Sequence, residues 1–196
     1  LNGQDKAIYI QEDNTAYGAI ILANYLLTCY ARNEEPAELG DYLKRIKKAI
    51  QYALKHFYRE EIFLFFSTTG IHESAIEKGY SIWVNHVYIL FFNLILQLTN
   101  KFNLKDLFAE ELSFKCRFCQ SVHRRFILSN RFVRRITKEG TFDLRPDVTL
   151  MSPVYFQCKE GHCDSCVLDE NPDIITNSVN FMVENLWDSE LGMLQR

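Results

Sequence analysis

The sequence has no low-complexity tract, no close internal repeat and no excess of either charge. With 22 Lys and Arg against 25 Asp and Glu, the net charge is −3. No global field therefore draws the chain to nucleic acid or to an anionic membrane surface, and a neutral partner is expected. A comfortable bilayer span is also lacking. The longest apolar run, Ile82 to Leu98, contains Asn85, His86, Asn93 and Gln97, each costly in lipid, so it predicts a buried helix and no membrane partner. No initiator methionine or basic-then-apolar leader stands at Leu1, and the chain reads as an internal piece that leaves secretion open. The six cysteines are even in number. A chain of this size and apolar content needs no disulfide staples, so reduced thiols and a cytoplasmic setting are expected.

What is present is ample core material: 47% hydrophobic and 14% aromatic residues over 196 positions exclude disorder and suit one domain. Asn14 and Thr15 can cap a helix to about residue 32, with Ala16, Ala19, Ile20, Ala23, Leu26, Leu27 and Tyr30 at helical spacing. A second helix over about 41–57 sets apolar positions against Lys44, Arg45, Lys47 and Lys48, a basic cluster best read as its wet face. The segment 61–66 reads as an extended run. A helix over 81–100, apolar nearly all round, implies burial on both faces. Further helices are expected over 106–128 and 172–186, and a small hairpin over 131–142 with glycine in its turn.

The most chemically loaded stretch is Ser67 to Trp83, which places Glu73, Glu77, His72, the small hydroxyl residues Ser67, Thr68, Thr69 and Ser74, and two glycines before that apolar helix. Gly70-Ile71-His72-Glu73 resembles the G-I-W-E motif of bacterial glucoamylase-like glycoside hydrolases, and Ser81-Ile82-Trp83 fits the helix start that follows it. Upstream, Gln11 to Gly18 is similar to the family's Q-x-D-x-Y-G helix start, with two extra residues. Downstream, Arg145 to Pro153 looks like its D-A-S-L-L-L-x-P segment, and Gly192 to Arg196 like its G-L-x-x-R-Y stretch. The order of the matches spans nearly the whole chain.

The resemblance implies an all-α fold, part of an (α/α)6 toroid of helical hairpins with small β-hairpin insertions, with residues 1–196 a fragment of one catalytic domain. It implies inverting general acid/base hydrolysis of α-glucosidic linkages in oligo- or polysaccharides, without a cofactor. Glu73 takes the general acid's position. Asp13, Tyr17, His72, Glu77, Trp83 and Arg196 are candidate substrate-binding groups, Glu77 also being the rival acid. Inversion needs a second carboxylate ~6.5–9.5 Å from the acid. In the family it is a glutamate further towards the C-terminus than this chain reaches, so the chain is expected to carry the acid half of the site. His72 replaces the family's tryptophan and no arginine follows Glu73 at the family spacing, which bears on substrate choice. An incomplete ring would expose inner helices and favour self-association.

Two other classes compete. One is a non-catalytic carbohydrate-binding or regulatory module of the same fold. The other is a zinc-stabilised interaction domain, since Cys116-x-x-Cys119 and Cys163-x-x-Cys166 imitate a four-thiolate site with Cys158 and His162 in reserve. Unliganded thiols or a local disulfide are the simpler reading of these cysteines.

Overall fold

The computed structural model describes residues 12–68, 77–156, 168 and 171–194. Three long helices carry the core: α1 (Glu12–Ala31), α2 (Leu39–His56) and α3 (Ile82–Lys101). Helix α1 packs on both α2 and α3, and α3 in turn packs on α5 (Lys115–Arg125). The small residues Ala16, Ala19 and Ala23, all buried, let α1 lie close to its neighbours. Helix α3 is buried on nearly every side, with Tyr88, Phe91 and Phe92 fully enclosed. It is long and apolar enough to cross a membrane, yet 78% of its most apolar window is covered by the rest of the fold.

The expected helix starts and ends need adjustment. Helix α1 is already helical at Glu12, so Asn14 and Thr15 lie in its first turn rather than at its cap. Lys47 leaves the wet face of α2: its ammonium donates to the Leu107 carbonyl at 2.6 Å and pairs with the fully buried Glu111 at 3.7 Å. The helix expected over 106–128 is two pieces, α4 (Ala109–Ser113) and α5, followed by the strand pair β4 (Ile127–Leu128) and β5 (Arg131–Phe132).

The all-α toroid is overturned. The described residues are 60% helical with 12% strand, a mixed helical fold in which they form four small sheets, not a clear ring of helical hairpins. Strands β1 (Tyr58–Arg59) and β2 (Leu64–Phe65) pair as a hairpin. Strand β3 (Gly79–Ser81) pairs antiparallel with β6 (Arg135–Thr137), which pairs with β7 (Phe142–Asp143). The anticipated hairpin around Gly140 is therefore β6–β7, but it is no peripheral insertion. Pairing with β3 ties it to the entrance of α3, and Ile82 donates its N–H to the Arg134 carbonyl at 3.0 Å. The chain then passes through a 3-10 turn (Val148–Met151), opened by Asp147 accepting from the Thr149 N–H, into the short α6 (Ser152–Tyr155) with Pro153 in its first turn. Helix α7 (Asp173–Leu186) and the strand pair β8 (Trp187–Asp188) and β9 (Met193–Leu194) complete the described chain.

Candidate functional site

Strand β2 leads into Ser67, which forms a two-hydrogen-bond bridge with Gly79: Ser67 N–H to Gly79 O at 2.7 Å and Gly79 N–H to Ser67 O at 2.9 Å. One step further in, Glu77 donates its N–H to the Thr68 carbonyl at 2.9 Å. The segment between, with His72 and Glu73, lies outside the described residues, as does Arg196. Its two ends, however, are held side by side.

This base is fastened to the start of α1 by Glu12. One carboxylate oxygen of Glu12 accepts from both the N–H and the hydroxyl of Thr68, at 2.8 and 2.7 Å. The Tyr88 hydroxyl of α3 donates to the Glu12 carbonyl at 2.7 Å. Glu12 is only 3% exposed, and its other carboxylate oxygen meets no hydrogen-bond donor. Among sequence-derived candidates Glu12 was absent. A glutamate in the first turn of a helix has an ordinary explanation in the helix dipole, and nothing nearby in sequence announces Thr68.

Beside Glu12, the structure brings three candidates together. The Trp83 indole N–H donates to the Tyr17 hydroxyl at 2.9 Å, and Asp13 also interacts with Trp83. All three are half-buried. Burial pushes the Asp13 carboxyl above its ordinary range, helped by the neighbouring Glu12 charge and opposed by hydrogen bonds to backbone amides and to Trp83. Burial, with the charge of Asp13, raises the Tyr17 hydroxyl to about 12. A desolvated carboxyl, a phenol that stays protonated and an indole thus meet at the starts of two packed helices. Phe156 meets Trp83 edge-on at 5.1 Å and limits the other side.

Glu77 behaves differently from the exposed loop charge its sequence context suggests. It pairs with Arg134, with Arg145 at 3.1 Å and with Arg135 at 3.9 Å. Arg134 also reaches Asp143 at 3.5 Å and Asp147 at 3.6 Å, while Arg145 holds Asp143 at 2.6 Å. Three guanidiniums thus interlock with three carboxylates. Held by these arginines, and bonded through its backbone N–H to Thr68, Glu77 braces the base of the loop. Arg135 donates to the Ser67 hydroxyl at 3.2 Å, and burial lowers its guanidinium to about 10 despite Glu77. One of its terminal nitrogens is buried without an acceptor. The sequence shows Arg134 and Arg135 only as members of a hairpin; their partners are Ser67, Glu77, Asp143 and Asp147.

Cys116 is exposed and Cys119 buried, both on α5. Cys158, His162, Cys163 and Cys166 lie outside the described residues. Among the described residues no group of three or more His, Cys, Asp or Glu side chains is placed to hold a metal ion.

No family model, curated protein or solved structure matches the chain.

Proposed function

We propose that this chain contributes the acid half of a glycoside hydrolase site that cleaves α-glucosidic linkages with inversion, Glu73 protonating the departing oxygen. The observation that carries the reading is the convergence of Asp13, Tyr17 and Trp83 at the same helix ends to which Glu12 fastens the loop that bears Glu73. A sugar held there by hydroxyl hydrogen bonds and ring stacking would sit beside that loop. No cofactor is called for, because proton transfer at a positioned carboxylic acid and an attacking water account for the bond cleavage. Inversion also needs a second carboxylate ~6.5–9.5 Å from the acid to activate water.

The test uses the full-length gene product and two substrate types. Glu73→Gln should lose ~10²–10⁴-fold in kcat/KM on maltooligosaccharides, whose leaving sugar needs a proton, and much less on an α-glucosyl fluoride, whose leaving group does not. Equal losses on both, or none on maltooligosaccharides, would remove Glu73 from the role.

A further inference from the structure

Away from the loop base, the turn between β1 and β2 and the outer face of α5 form an open pocket of about 310 Å³ lined by Phe63, Arg117, Gln120, Ser121, Arg124 and Arg125. Its volume is at the lower end for small-molecule sites. Three features set it apart from an ordinary solvated helix face.

The first is charge. Arg117, Gln120, Ser121 and Arg124 fall at helical three- and four-residue steps, so they line one face. None of the three arginines has a carboxylate within ion-pairing distance among the described residues, although the buried Arg134 and Arg135 are closely paired. The nearest turn contributes exposed Glu60 and Glu61, which act on the Tyr58 and Tyr80 hydroxyls without pairing with these arginines. The second is fixed geometry. Ser121 donates its hydroxyl to the Ile62 carbonyl at 2.6 Å and accepts from the Arg125 Nε at 3.1 Å, joining helix and turn and aiming one guanidinium. The third is backbone strain: Phe63 holds φ at 54°, a left-handed conformation rare for an aromatic residue and one that collects at ligand sites.

We infer that this cavity binds the phosphate group of a small phosphate monoester, with Arg117 and Arg124 as its principal donors. Guanidinium forks match phosphate oxygens two at a time, and Gln120 adds a neutral donor at the rim. The inference is independent of the hydrolase reading, because none of these residues belongs to the loop base.

The experiment is calorimetric titration of the intact protein with inorganic phosphate, glucose 6-phosphate and, as the uncharged control, glucose, at fixed ionic strength. Saturable binding of glucose 6-phosphate is expected, weakened about 10-fold or more by Arg117→Ala and by Arg124→Ala, and partly restored by lysine at either position. Both arginines are exposed, so the variants should keep the wild-type melting temperature. Unchanged affinity in both variants, binding of glucose alike at this site, or binding only of a long polyanion such as heparin would overturn the inference.

Discussion

Asn85 shows how a single residue can stand in for a missing strand. It is fully buried in α3, accepts from the Phe65 N–H at 2.8 Å, and donates to the Phe65 and Ser81 carbonyls at 3.1 and 2.8 Å. A side-chain amide has one acceptor and two donors, and here all are used against backbone. Asn85→Ala should therefore cost about 2–4 kcal/mol, because two buried backbone groups of Phe65 lose partners at about 1–3 kcal/mol each. The melting temperature should fall by about 5–15 °C, and the Phe65 amide should exchange faster in native-state hydrogen exchange. An unchanged Phe65 exchange rate would refute the strand-partner role. In the sequence Asn85 is legible only as a cost inside an apolar run. Asp13, Tyr17 and Trp83 could be named from the sequence as candidates, whereas Glu12 and Arg135 acquire meaning only from partners more than fifty residues away, Thr68, Glu77 and Ser67.

At the scale of elements, the long helices follow from periodicity, and the short strands do not. Helix α3 announces itself by apolar residues on every face, and α2 by a strong contrast between its faces. The division of α4 from α5 was hidden because Phe114, at the junction, keeps helical dihedrals and no glycine or proline marks the break. Strand β3 was hidden for a different reason: three residues carry too little alternation, and its partner β6 is remote in sequence. The element nevertheless has a sharp requirement at Gly79. Its φ is +149°, and a Cβ there would lie 2.4 Å from the Ile136 carbonyl oxygen and 3.0 Å from the Thr137 Cα. Gly79→Ala must displace backbone of β6, open the Ser67 bridge and loosen the loop base. A loss of about 1–3 kcal/mol is expected from the conformation alone, with more from the clash. Gly18→Ala is the matched control. It sits exposed on α1 with open space around it, so the substitution should be neutral or stabilise by up to about 1 kcal/mol. Urea denaturation of the pair checks the contrast, and comparable effects of opposite sign to these would refute the packing argument.

Across the whole molecule, the response to acid is set by where titratable groups are buried. His86 is enclosed at the centre, its Nδ1 2.7 Å from the Ser152 hydroxyl, with the His123 ring 6.2 Å away and Phe132 against its face. Burial first, and the charge of His123 second, push its pKa well below the usual 6.5. Between that value and its lower folded value the unfolded chain holds a proton that the folded one does not, so stability falls as pH drops through this window. Asp143 adds a loss at lower pH. Burial tends to raise its carboxyl, but hydrogen bonds from Arg145 and the charge of Arg134 outweigh it and hold the pKa below 3.8. Its contribution is present above the unfolded value and disappears as pH falls through the folded one. Asp13 runs the other way, since its raised pKa lets the folded chain take up a proton before the unfolded one does. In the window just below pH 6.5, His86 therefore lowers stability on acidification, opposite in sign to Asp13. Urea midpoints measured from pH 8 to pH 5 should show stability flat above about pH 7 and declining below it, by up to ~1.4 kcal/mol per pH unit for this one group. His86→Asn removes the titration while keeping a polar neighbour for Ser152. It should be less stable than the parent at pH 8 and should lose most of the decline between pH 6.5 and pH 5. An equal slope in parent and variant would assign the acid sensitivity to another group.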